Sequence, residues 1–257
     1  MTPRELYIAL ITITRKEMVR FFRIWPQTLL PPVITQTLYF VIFGKFIGSQ
    51  ISHINGISYM AFIVPGLVMM SVINNSFANV VSSFFGNKFQ RSIEEMIVSP
   101  SPDWIVLSGY VMGGVLRGII VGVLVFTVSV FFTRPVISHG FIIISFIILT
   151  SIVFSLGGFL NALFAKKFDD ISIFPTFFLT PLIYLGGVFY SIHSLPPAWQ
   201  AVSKLNPILY MVNGFRYGFY GFSDVSVATS FIMLAGSAVL LTVANLYLLK
   251  KGTGLKS

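Results

Sequence analysis

The sequence has no cysteine, little charge and very little acid. Without cysteine there can be no disulfide framework and no thiolate nucleophile, and thiol usage gives no hint of redox compartment. His53, His139 and His193 are too few and too scattered to form a metal site. Charged residues make up 10% of the 257, where a soluble domain carries about 25%. Hydrophobic residues make up 55% and the mean hydropathy is +0.87, so too few polar groups remain to cover a water-facing surface. Lipid must solvate much of the chain. No polar stretch is long enough for a separate soluble domain, which leaves a single membrane domain over 1–257. The formal charge of +9 comes from 17 basic and 8 acidic residues. The cations cluster at the ends of apolar segments, where they orient a membrane protein rather than bind nucleic acid.

Residues 4–25 are amphipathic. Tyr7, Ile11, Thr14, Met18, Phe21 and Trp25 recur at helical spacing, with Lys16, Arg20 and Arg23 opposite. That pattern predicts a helix lying in the membrane interface, the alternative being a ragged start to the first span. It is not a cleavable leader: the apolar run from Leu6 to Thr14 is short, Arg15 and Lys16 follow it, and no small-residue cleavage site appears. Six apolar segments are predicted to span, at 27–47, 58–82, 104–132, 138–165, 171–190 and 227–249, each near the roughly 20 residues a bilayer requires. Pro175 and Pro181 interrupt the fifth, and irregular apolar character continues to about 222.

With the N-terminus inside, the inner side holds Arg4, Arg15, Lys16, Arg20, Arg23, Lys88, Arg91, Lys166, Lys167, Lys250, Lys251 and Lys256. The outer side holds only Lys45, Arg134, Lys204 and Arg216, and Arg117 falls within a span. The bias predicts both ends in the cytoplasm and an even number of crossings. Of the acids, only Asp224 falls outside.

No catalytic constellation is present. There is no His-Glu-x-x-His helix and no Ser/His pair, and the adjacent Asp169 and Asp170 point in different directions on a helix. These two acids suit a solvated helix start. The tail Gly252-Thr-Gly-Leu-Lys-Ser257 lacks the spacing of a phosphate-binding loop, so the chain is not expected to bind ATP or any other cofactor itself.

Three membrane features and one loop carry information. Gly114, Gly118 and Gly122 recur every four residues, a pattern that lets helices approach closely. Arg117 lies deep in the same span, either as a functional charge or as a structural one bonded inside the bundle. Ser71, Asn74, Asn75, Asn79 and Ser82 form a polar stripe on the second span, suited to hydrogen bonding between helices or to lining a path. Residues 88–100 read as a short amphipathic helix ended by Pro100. Phe89, Ile93, Met96 and Ile97 lie on one face and Arg91, Glu94 and Glu95 on another, fit for a partner's groove or for the membrane surface.

These residues resemble the ABC-2 type transport permeases along essentially the whole chain. The resemblance rests on Arg23-Ile-Trp-Pro-Gln-Thr-Leu-Leu-Pro-Pro32, Phe62-Ile-Val-Pro-Gly-Leu67, Phe89-Gln-Arg-Ser-Ile-Glu-Glu95, Phe168-Asp-Asp-Ile-Ser172, Tyr184-Leu-Gly-Gly-Val-Phe-Tyr190 and Leu205-Asn-Pro-Ile208. It implies an all-α membrane domain of six transmembrane helices with an N-terminal interface helix at 4–25, a cytoplasmic coupling helix at 88–100 and outer re-entrant helices at 191–222. It also implies two copies of the chain working with two copies of a separate ATPase, which would hold the ATP and magnesium. Phe89, Arg91, Ile93, Glu94, Glu95 and Met96 become the expected ATPase contacts. Asn74, Asn75, Asn79, Arg117, Phe177, Phe178 and Tyr184 become the expected lining of an export path at the dimer interface. An ATP-independent secondary transporter or channel is the rival reading, although such proteins often show inverted repeats and deeply placed acids that are not evident here.

Overall fold

A computed structural model describes residues 1–51, 53–54 and 56–254. The side chains of Glu94, Met96 and Ile97 lie outside it, and so does Lys256 of the predicted basic tail. The chain is almost entirely helical. α1 runs from Pro3 to Arg23, begun by a capping box in which the Thr2 and Glu5 side chains each bond the other's backbone N–H. α2 (Trp25–Ile47) follows after a break at Ile24, with Pro26 in its first turn, and loosens into wide π turns over Phe40–Ile47. A two-stranded hairpin, β1 (His53–Ile54) with β2 (Ile57–Ser58), leads into α3 (Tyr59–Phe89), whose first turn is capped by the Ser58 hydroxyl. Then come α4 (Ile93–Val98), α5 (Asp103–Ser129), α6 (Gly140–Phe164), α7 (Asp170–Tyr184), α8 (Pro197–Lys204), α9 (Pro207–Tyr220) and α10 (Val227–Lys250).

Among the described residues five helices have the length and apolar composition to cross a membrane: α2, α3, α5, α6 and α10. α3 is the axis of the bundle, with 89% of its most apolar window buried against 11% for the peripheral α10. α5 and α6 flank α3 and each other, α1 lies along α5, and α9 and α10 close the far side of α6. Serine and asparagine on the buried α3 bond back to the helix's own carbonyls, as Ser71 does to Leu67 and Asn75 to Ser71. Such bonds offset the cost of placing a polar side chain in an apolar bundle.

The predicted fifth span differs in form. α7 ends at Tyr184, and at about 1.5 Å per residue it reaches roughly 22 Å, short of a hydrocarbon core of about 30 Å. Pro175 and Pro181 each remove a backbone donor. The chain answers with π turns over Pro175–Leu179, where the Thr180 hydroxyl donates to the Pro175 carbonyl. Beyond Tyr184 the backbone turns at Gly187 (φ 72°), then returns through α8 and α9 to a left-handed stop at Gly221 (φ 72°). Residues 186–189 are buried, so this irregular backbone is covered by protein, the condition for tolerating it at membrane depth.

Candidate functional site

The amphipathic face of α1 turns out to be wider than its apolar stripe. Ile13, Glu17 and Phe21 are buried, while Tyr7, Ile11 and Trp25 are exposed. Glu17 is fully enclosed. Ser83 of α3 donates to its Oε1 at 2.6 Å, and Arg20 reaches Oε2 at 3.2 Å. The Arg20 guanidinium continues to Asn79 Oδ1 at 2.8 Å and to the Asn79 carbonyl at 3.0 Å. Further along α3, Arg117 Nη2 donates to Asn75 Oδ1 at 3.0 Å and to the Thr28 carbonyl of α2 at 3.3 Å. Lys16 donates to Asn87 Oδ1, and the Asn87 amide donates to Tyr110 Oη at 2.6 Å. A polar seam thus ties α1, α2 and α5 to α3. Asn75, Asn79 and Arg117 meet in it, with Glu17 and Arg20 as members the amphipathic pattern did not reveal. The available signal was an acid at helical spacing between Ile13 and Phe21.

Asn74 stands apart from this seam. It is half-buried, and with the exposed Ala78 and Ser82 it forms a strip at four-residue spacing on an otherwise buried helix. Toward the other end of α3, α2 and α7 meet where the Tyr39 and Tyr184 hydroxyls lie 3.1 Å apart. Phe174 stacks on Phe77 of α3 and on Phe178, while Phe177 and Phe178 are 69% and 57% exposed. These aromatics leave a large apolar surface uncovered in a single chain.

The glycines of α5 face two ways. A Cβ on Gly113 would meet the Glu17 side chain of α1 at 2.5 Å, and one on Gly109 would meet Ile13 at 2.5 Å. A Cβ on Gly114 would run into Val80 of α3 and Ser155 of α6, on Gly118 into Ser76 and Ser151, and on Gly122 into Val72. The glycines therefore bring α1 against one side of α5 and the α3–α6 pair against another.

At the opposite end from the α2–α7 contact, the chain leaves α3 through Arg91, which has a left-handed φ of 60°, and forms α4. Ile93 is buried against the bundle, while Arg91, Glu95 and Val98 are exposed. Phe89 is exposed on one side and packs edge-on to Phe168, with ring centroids 4.8 Å apart. Lys88 Nζ donates to the carbonyls of Leu163 and Ala165, closing the C-terminus of α6. The amides of Lys166 and Lys167 both donate to Asp170 Oδ2, which holds this solvated carboxyl below the usual carboxylate range. The turn is therefore kept at neutral pH and lost only as pH falls through that lowered value. Glu94 and Met96 fall outside the described side chains.

Arg216 was counted from the sequence as an outer-side cation. It is fully buried beneath the Gly187 turn, its Nη2 donating to the Gly187 carbonyl at 2.7 Å and its guanidinium 3.9 Å from the centre of the Phe62 ring. Asp224 accepts from Ser191 Oγ and the Ile192 amide at 3.0 Å, and its own amide donates to Asn213. Among the described residues there is no group of three or more potential metal ligands.

A membrane domain of apolar helices with a polar seam and a projecting amphipathic helix fits a transport protein. Residues 8–220 match the ABC-2 type transporter family, and the chain belongs to it. It is 56% identical over 252 residues, 98% of each chain, to the inner membrane transport permease YadH of Escherichia coli K12 and to the protein of the same name from Shigella flexneri. It is also 22% identical over 217 residues to nodulation protein J of Rhizobium meliloti, covering 80% of this chain and 79% of that one.

Proposed function

We propose that this chain is the membrane-spanning subunit of an ATP-binding cassette exporter of the cytoplasmic membrane, with both termini in the cytoplasm. Two copies would enclose the path, and a separately encoded ATPase would bind and hydrolyse ATP with magnesium. The observation that carries this reading is the open strip Asn74, Ala78 and Ser82 on a helix that is otherwise the most buried in the bundle. A polar strip left uncovered by one chain at membrane depth needs a second protein surface or water against it. Phe174 of α7 stacks on Phe77, the residue before Ala78. Closing the ATPase would push α4, and the buried Ile93 side chain would pass that movement to the end of α3. α1, clamped to α3 through Glu17 and Arg20, would move with it.

The test uses the native absence of cysteine. With Ala78→Cys as the only thiol, membranes containing the permease and its ATPase are treated with a short bifunctional maleimide. The reading expects a covalent dimer whose yield changes when ATP is added. No dimer at Ala78, with efficient cross-linking from a cysteine on the peripheral α10, would overturn the path assignment. Transport that continues without any ATPase would overturn the exporter reading in favour of an ATP-independent carrier.

A further inference from the structure

Two cavities share a wall. The first is an apolar groove of about 450 Å³ between α6, α7, α9 and α10, with Phe154, Gly157, Phe174, Leu182 and Leu240 on its sides. The second, of about 680 Å³, lies at the end of α6 and is lined by Lys88, Arg91 and Lys166 beside Phe85 and Leu163. Phe164 lines both. We propose that the pair holds one anionic phospholipid of the cytoplasmic leaflet, an acyl chain in the groove and the phosphate among the three cations. The side of the membrane rests on the orientation proposed above.

Dimensions and charge both support this occupant. Along α6 the groove runs from Val153 to Phe164, roughly 16 Å at 1.5 Å per residue, and half of a hydrocarbon core of about 30 Å is 15 Å. Its walls are almost wholly apolar, so within a membrane it suits a hydrocarbon chain. Asp170, four residues beyond Lys166, is occupied by the amides of Lys166 and Lys167. Lys88 spends two donors on the carbonyls of α6, leaving a third, and Arg91 and Lys166 are exposed without an ion pair among the described residues. A basic pocket between helices at this interface is what an anionic headgroup requires. Asn74, Ala78, Ser82, Phe177 and Phe178 do not line the groove, and its one α7 aromatic, Phe174, stacks on Phe77 of α3, so the lipid is assigned as a resident rather than cargo.

Permease purified from vesicles of equal dioleoyl phosphatidylglycerol and dioleoyl phosphatidylcholine should retain one phosphatidylglycerol per chain, read by native mass spectrometry. Lys166→Gln should lower that retention roughly fivefold, the worth of one interfacial cation. Gly157→Leu should exclude the lipid by filling the groove, because a Cβ there meets only the Phe77 ring, at 3.9 Å. Both variants are first shown to match the parent in size-exclusion profile and Tm in a lipid-free detergent. Equal retention of the two lipids, or retention unchanged in both variants, would overturn the site. ATP-driven movement of labelled phosphatidylglycerol across the bilayer, lost in Gly157→Leu, would make the molecule cargo and overturn the resident assignment. Retention is read without the ATPase, so a failure of the exporter reading would leave this result standing.

Discussion

Glu17 is a charge on a surface helix that faces inward, and its energetics differ from those of the cations around it. Its carboxylate is enclosed with Ser83 and Arg20, whereas the Arg20 side chain keeps 29% of its surface exposed. Removing Glu17 leaves a cation that can still reach water, so the loss lies below the roughly 3–5 kcal/mol of a fully buried pair. Glu17→Ala should cost about 2 kcal/mol and show as a lower Tm in detergent, with Glu17→Gln intermediate because its amide oxygen can still accept from Ser83. Arg117 and Asn75 obey the same logic with the roles reversed. Asn75→Leu strips the half-buried guanidinium of one of its two acceptors, whereas Arg117→Met with Asn75→Leu replaces the whole pair by apolar surface. The double variant should be the more stable of the two, measured by thermal unfolding. A double variant less stable than Asn75→Leu alone would mean that Arg117 is held chiefly by something other than Asn75.

At the scale of the element, two adjacent glycines of α6 give opposite expectations. A Cβ on Gly158 would approach the Phe77 carbonyl oxygen at 2.6 Å, and backbone in the middle of α3 cannot step aside. On Gly157 the nearest atom is the Phe77 ring at 3.9 Å. Gly158→Ala should therefore destabilise by about 1–3 kcal/mol. Gly157→Ala should be neutral or stabilise by up to about 1 kcal/mol. Comparing the Tm of the two variants checks this. The long apolar helices were legible in the sequence because length and hydropathy alone define them. The four-residue spacing of Gly114, Gly118 and Gly122 was legible, although the side chains on α3 and α6 that a Cβ there would meet were not. The inward face of α1 was hidden because its stripe of Tyr7, Ile11 and Trp25 outweighs a single acid in any apolar pattern, and those residues are the exposed ones. The burial of Arg216 was hidden for a related reason. What buries it is a turn at Gly187, far away in sequence, and no local pattern reports that.

For the whole molecule the decisive quantity is the number of crossings, and it turns on α7. If α7 and the buried turn at residues 186–189 together complete a crossing, Lys166 and His193 lie on opposite sides of the membrane. Both termini then share the cytoplasmic side, as the distribution of lysine and arginine predicts. If instead α7 dips in and returns, the two residues lie on the same side, and one end of the chain must change sides. The cysteine-free sequence makes the distinction direct. Single-cysteine variants Lys166→Cys, His193→Cys and Lys251→Cys are treated in intact cells with a membrane-impermeant maleimide, before and after permeabilisation. His193→Cys should react in intact cells, while Lys166→Cys and Lys251→Cys should react only after permeabilisation. Labelling of Lys166→Cys and His193→Cys from one side would reduce the crossings to the five long helices. The Arg216 anchor beneath Gly187 could then no longer close the outer end of the bundle. The expected pattern instead gives α7 a crossing completed by irregular backbone, permitted because Arg216, Phe62 and the end of α3 cover it from lipid.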